Sequence, residues 1–440
     1  MRNLMIAGAV GLVLSTPVTA HAAVSEQEVA ELKAQVAALL ARVQQLEAQN
    51  GQAAGAAPAA DPAKVAELET RVAEIESTND RQTDQLAQAS AKDKGVDWAS
   101  KVKWKGDLRY RHEMIDVEGA DQRTRQRIRA RFGLDGKVSD QLLVGLQIAT
   151  GDPLDPRSTN STLGDSNQRD QIQLDLAYVD WKAFTDGTVT AGKQKYPWFR
   201  PSASLFYDGD INPEGVAVKW GGKTGPFASA WGYWLSEVSA GADANLFGAQ
   251  LGWATDFGLT MALSYHDYGA IEGSSLVFLE YPAGNTTYNG DSSCNLPAPT
   301  TGATRCYVND YNVVGVGAEY AMQAGSFPLS LWGDYLYNNA ADDLNTGYAL
   351  GVRLGKASDP GSWEVGLLYQ DVEADAQWAG FIDSDFAGGA TQGKGLQFKG
   401  AWVPVKNTSI NLTLFDNTRG YDLSSERDYE RLQLDFNMKF

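Results

Sequence analysis

The sequence predicts an all-β transmembrane barrel of about sixteen antiparallel strands, preceded by an α-helical coiled-coil stalk. Three observations carry this expectation. After about residue 96, apolar and polar side chains alternate with a period of two through most of the chain. The connections between the alternating segments are short and long in turn. The composition is also rich in glycine and aromatics, with 45 Gly, 12 Trp, 18 Tyr and 15 Phe in 440 residues, which suits extended structure better than helix.

The first element is a leader. Arg2 is followed by a short apolar run from Leu4 to Leu14 and by the small-x-small triplet Ala20-His21-Ala22. That pattern is a secretory signal over residues 1–22, with a mature start at Ala23. No later apolar run reaches about 18 residues, so helical membrane spans are not expected.

Residues 23–95 read as a stalk in two segments joined by the linker 51–61. Val29, Leu32, Val36, Leu39, Val43 and Leu46 alternate in steps of three and four, with Val at a and Leu at d. GQAAGAAPAAD breaks the register, and Val65, Leu68, Val72, Ile75 and Asn79 then resume it. Each segment spans about three heptads, too few for a lone helix in water, so self-association is the expected role.

The barrel occupies residues 96–440. In ERLQLDFNMKF, Leu432, Leu434, Phe436, Met438 and Phe440 share one face. Arg431, Gln433, Asp435, Asn437 and Lys439 share the other. The same alternation puts Leu142, Val144, Leu146 and Ile148 together, as it does Ile172, Leu174, Leu176 and Tyr178. Trp363, Val365, Leu367 and Tyr369 follow it, and so do Ile410, Leu412 and Leu414. The tight connections include GKVSD, TDG, GGKTG and TDFG, while 151–169, 196–213, 268–310 and 372–393 are long. Sorting by length onto opposite ends is the layout of an outer-membrane barrel, with short periplasmic turns and longer outside loops. Trp104, Tyr178, Trp220, Trp253, Tyr265, Tyr348 and Trp402 sit at strand ends as interfacial aromatics. Cys294 and Cys306, neighbours in an exported chain, are expected to pair.

The charge pattern is uneven. The chain carries 37 Lys+Arg against 55 Asp+Glu, a formal net charge of −18 that argues against a nucleic-acid partner. Yet RTRQRIRARF places Arg123, Arg125, Arg127, Arg129 and Arg131 at every second position. An arginine pointing into hydrocarbon costs roughly 2–4 kcal/mol at the bilayer midplane, so strand parity must turn these inward. On the preceding strand Val102, Trp104, Leu108 and Tyr110 then face lipid. Lys101, Lys103, Lys105, Asp107, Arg109 and Arg111 face the lumen. The candidate basic wall is therefore Lys103, Lys105, Arg109, Arg111, Arg125, Arg127, Arg129 and Arg131.

Several stretches resemble the Putative porin family of Gram-negative outer membranes, whose barrels follow a periplasmic coiled coil. They are LRYRHE at 108–113, RQRIRARFGL at 125–134, ATGDP at 149–153, LDLAYVDW at 174–181, DGDINPEG at 208–215 and the terminal Phe440. The resemblance implies a sixteen-stranded barrel assembled as a homotrimer, in contact with outer-membrane lipid and lipopolysaccharide. It also implies a third loop folded into the lumen, here 196–215, carrying Asp208, Asp210 and Glu214.

A basic wall facing acids across a narrow lumen would set ion selectivity through a transverse field. The leading expectation is passive diffusion of small hydrophilic solutes with a weak cation preference, because outside-loop carboxylates concentrate cations. Alternatives are an anion channel for phosphate or carboxylates along the arginines, and a structural tether to peptidoglycan or a periplasmic partner through the stalk. An enzyme is not expected, since no nucleophile and base converge on His112 or His266. No cofactor or metal is expected either. DGDIN opens like a calcium loop, but Pro213 and Lys219 stand where glycine and glutamate are needed.

Overall fold

The computed structural model describes residues 100–202, 204–239, 242–275, 283–289, 294, 305–421 and 426–440. The expected signal, stalk and linker lie outside the described residues. Sixteen long strands form a closed antiparallel barrel. We number them β1 (Val102–Val117), β2 (Arg123–Lys137), β3 (Leu142–Thr150), β4 (Ile172–Phe184), β5 (Gly187–Lys193) and β6 (Glu214–Gly221). Then come β7 (Gly225–Ser236), β8 (Ala244–Ala254), β9 (Leu259–Gly269), β10 (Tyr311–Ala324) and β11 (Phe327–Asn338). β12 (Thr346–Gly355), β13 (Trp363–Val372), β14 (Gly393–Trp402), β15 (Thr408–Arg419) and β16 (Arg427–Lys439) complete the wall. A two-residue strand, Ser161–Thr162, adds to the edge of β2.

Each strand pairs with its chain neighbour, and β1 pairs with β16 from Asp107↔Lys439 to Val117↔Tyr429, which closes the ring. Closure leaves no open edge, as a lipid-embedded sheet requires. The last residue takes part: Gly106 N donates to Phe440 O at 3.0 Å, and Phe440 N to Gly106 O at 3.1 Å. Only glycine fits at 106, because a Cβ there would lie 2.5 Å from the Phe440 ring.

The outward faces follow the alternation. Trp104 is 55% exposed and Leu251 67%, and Trp220, Trp253, Tyr265, Tyr348 and Trp402 are exposed as well. β4 departs from the expected parity. Opposite β3 the register steps from Gln147↔Leu176 to Ile148↔Leu174, so Asp175 forms a bulge. Ile172 and Leu174 remain outside, but Leu176 is buried and Tyr178 lies over Gly145 on the lumen side. One extra residue therefore removes Leu176 from the lipid face and Tyr178 from the aromatic girdle.

Turns at one end are short, such as 185–186 and 325–326, while 151–171, 194–213, 270–310 and 373–392 at the other are long. Two long segments fold inside. In 194–213, Phe199 exchanges hydrogen bonds with the Gln250 side chain at 2.7 and 2.9 Å. Ser202 donates to Glu319 at 2.6 Å and Ser204 to Asp334 at 2.6 Å, so the loop crosses the inner faces of β8, β10 and β11. In 373–392, Trp378, Phe381, Ile382 and Phe386 are buried, with short 3-10 turns at Ala379–Phe381 and Phe386–Gly388. The two segments meet where Asp208 N donates to Phe381 O at 2.7 Å and Asp383 N to Leu205 O at 3.1 Å. Together with Trp231, Tyr233 and Tyr268 from the wall, they pack an aromatic core that fills one side of the lumen. Cys294 and Cys306 form a disulfide within 270–310.

Candidate functional site

The other side of the lumen is polar and charged. It is built on β1, β2 and β16, whose register sets arginines opposite one another: Arg109↔Arg129 and Arg111↔Arg127. Like charges directly opposite are destabilising in a sheet unless counter-charges intervene. Here they do. Asp107 accepts from Arg129 Nε at 2.9 Å and Arg131 Nε at 2.7 Å. Asp435 accepts two bonds from Arg111, at 2.7 and 2.9 Å, in the fork geometry that favours guanidinium over ammonium. Glu113, fully buried, accepts from both Arg125 and Arg431.

Asp385, on the inward segment 373–392, is the shared counter-ion. It lies 3.2 Å from Arg111 and 2.7 Å from Arg431, and it accepts from Gln433 at 2.9 Å. Burial would raise its pKa, but Arg431 and Arg111 hold it well below the usual carboxylate range. Asp208 is the opposite case. Its carboxylate accepts only backbone N–H bonds, from Asp210 and Ser384, both at 2.8 Å. Burial and the neighbouring Asp383 and Asp210 push its pKa well above the usual range. Asp383 is raised by burial and by Asp385, with Lys399 opposing. Asp210 is lowered against burial by Arg129, Arg109 and Arg131.

The residues expected from the sequence are thus distributed unevenly. Arg109, Arg111 and Arg129 line a cavity of about 340 Å³ together with Asp208 and Asp210. Arg125 pairs with Glu113, and Arg127 bonds the neutral Ser158 Oγ at 3.3 Å and Asn160 O at 3.2 Å. Arg131 lies 3.7 Å from Asp210. Lys103 and Lys105 share the parity but sit near the short-turn end, below the cavity: Val102 pairs with Gly136, and Lys105 binds Asp135 at 2.6 Å. Glu214 is not at the constriction. It opens β6 on the outward parity of Val216 and Trp220, exposed, and binds Lys193 at 2.7 Å.

Residues that the sequence reading passed over complete the site. Glu113 and Asp435 alternate in register with Arg111 and Arg431, so parity alone marks them as lumenal. Asp385 carries no periodic signal, since it lies in a loop. Lys399 on β14 and Glu364 on β13 line both the main cavity and an adjoining one of about 140 Å³. Arg157, from 151–171, reaches Gly389 O at 2.8 Å and ties a third long segment to the inner one. His266 is buried against Trp198, Tyr207 and Trp231, and His112 faces outward with Gln126 at 2.8 Å.

The sequence pattern of the family described as "Putative porin" matches residues 116–298 and 309–440, most of the barrel. The chain belongs to that family. Among solved structures, Pseudomonas putida OprB at high pH resembles this porin with a TM-score of 0.53 at 12% identity. The match covers 78% of this chain and 96% of that one, and at such identity it concerns the fold. Salmonella typhi OmpF in complex with daunomycin matches with a TM-score of 0.47 at 14% identity, covering 77% of this chain and 97% of that one. No curated protein sequence matches. Family membership and the closed barrel support an outer-membrane porin channel.

Proposed function

We propose that this porin is a passive diffusion channel of the Gram-negative outer membrane for small hydrophilic solutes, weakly preferring cations. The supporting observation is that the arginine wall is largely neutralised by its own neighbours. Arg111, Arg125, Arg129, Arg131 and Arg431 each have a carboxylate within 4 Å. An anion path along the arginines loses its driving charge when those arginines hold acids instead. The uncompensated lumenal charges are then mainly acidic, which favours cations modestly. The arginines, on this reading, fix the inward segments by charge-assisted hydrogen bonds and so set the pore's shape.

Residues 23–95 would form the periplasmic coiled-coil stalk behind the 1–22 signal, and the barrel would assemble as a homotrimer among lipid and lipopolysaccharide. The stalk leaves room for a peptidoglycan or periplasmic contact that is separate from conduction. Planar-bilayer reversal potentials in a salt gradient test the main reading. A small positive cation preference is expected, and a strong anion preference would overturn it.

A further inference from the structure

The charges available to a passing solute are those without a counter-ion. Among the described residues lining the main cavity, the arginines and Asp210, Asp385 and Asp435 have an opposite charge within 4.0 Å. Lys399 has no ion pair of this kind, nor do Asp208 and Asp383 on the loops and Glu364 on β13. Lys399 is exposed on β14, paired across the sheet with Gly366 on β13. Asp208 and Asp383 sit at the junction of the two inward segments, on the same cavity. Asp383 feels the charge of Lys399, yet the two do not touch. The slot therefore offers an unpaired cation on the wall, with Glu364 on the adjacent strand, and across the cavity two loop acids, Asp208 buried and Asp383 half-buried.

Resting on the channel reading, we propose that this gap is a subsite for zwitterionic solutes, with Lys399 receiving the carboxylate and Asp208 with Asp383 receiving the ammonium. A cation alone meets Lys399 and an anion alone meets the acids. Only a solute carrying both signs is matched at both walls, and its size must bridge the gap without displacing the paired arginines. An ammonium also supplies the counter-charge that the two loop carboxyls lack within the protein. The adjoining cavity shares Lys399, Gln397 and Glu364 with the main one.

The test is osmotic swelling of liposomes containing the full chain, comparing serine with glycerol and erythritol, which bracket it in size without charge. Serine is expected to enter about two- to fivefold faster than the polyols predict, the span of one or two solvent-screened ion contacts. In Lys399→Gln, and separately in Asp208→Asn with Asp383→Asn, serine entry divided by the same variant's polyol entry should fall to the value that size alone predicts. Polyol entry also reports that each variant has folded and opened. Equal serine advantage in wild type and Lys399→Gln, or no advantage in wild type, overturns the subsite and leaves the channel intact. If no polyol enters wild-type vesicles, the channel reading itself fails and the subsite with it.

Discussion

Asp385→Asn tests whether the arginine wall is a clamp. In wild type the Asp385 carboxylate contacts Arg111 at 3.2 Å, Arg431 at 2.7 Å and Gln433 at 2.9 Å. Asparagine keeps the shape and one acceptor oxygen but removes the charge. Hydrogen bonds to charged groups contribute about 1.5–3 kcal/mol each, roughly twice their neutral counterparts. Two such contacts halved amount to about 2 kcal/mol, because Arg111 retains Asp435 and Arg431 retains Glu113. A shift of about 2 kcal/mol changes the docked-to-undocked ratio of 373–392 by roughly 30-fold. The barrel's backbone ladder is untouched, so the protein should still insert. Single-channel recording should show a larger mean conductance with frequent step fluctuations, and reversal potentials should move toward anions. Unchanged conductance, noise and selectivity in a correctly inserted variant would refute the clamp.

Other outcomes follow from the same contacts. Lowering pH should weaken cation preference while the solution is still above the usual carboxylate range. Asp208 and Asp383 protonate first because their pKa values are raised, whereas Asp210 and Asp385 are held low. The linkage sign agrees: a carboxyl that binds its proton more tightly in the folded state gains stability as pH falls, so the loop junction should tighten. Reversal potentials across pH check this, and Asp208→Asn with Asp383→Asn should flatten the response. Gly106→Val should lower thermal stability by about 1–3 kcal/mol through overpacking against Phe440, read as an earlier loss of the folded band on heated gels. Ile128→Arg, on the outward face beside Tyr110, should cost about 2–4 kcal/mol and reduce insertion yield, while Arg129→Ile, one residue away and lumenal, should spare insertion and perturb conductance.

Much of the barrel was legible because parity is a two-valued signal repeated along every strand. Ile128 outside and Arg127 inside follow from one rule applied to RQRIRARF, and lipid enforces it with several kcal/mol. The rule fails where the backbone changes the count. The Asp175 bulge inserts one residue, and Leu176 and Tyr178 turn inward although their spacing is perfect. Height along the pore is also invisible to parity, which is why Lys105 joins Asp135 near the turns and not the cavity. Glu214 shows the limit of loop boundaries: it lies one residue past the inward segment, already on an outward strand position. Asp385 could not be read at all, since its place depends on a long segment finding Arg111 and Arg431 in three dimensions.

The net charge of −18 and the run of arginines are reconciled by where each charge finds its partner. On β1 and β2, guanidiniums outnumber acids locally, and opposing arginines would repel without Asp107, Glu113, Asp435 and Asp385. Three of those acids are on the wall, where Asp435 serves Arg111 while Glu113 is divided between Arg125 and Arg431. The inward segment adds a further carboxylate, Asp385, shared by Arg111 and Arg431, and enclosing it is tolerable because two cations meet it. A wall with fewer acids than arginines thus selects for an acidic loop tip, and docking that tip leaves the cavity between the inward segments and the wall. Charge imbalance in the wall fixes the shape of the pore, and the few side chains left unpaired after docking, Lys399 among them, are what a solute meets.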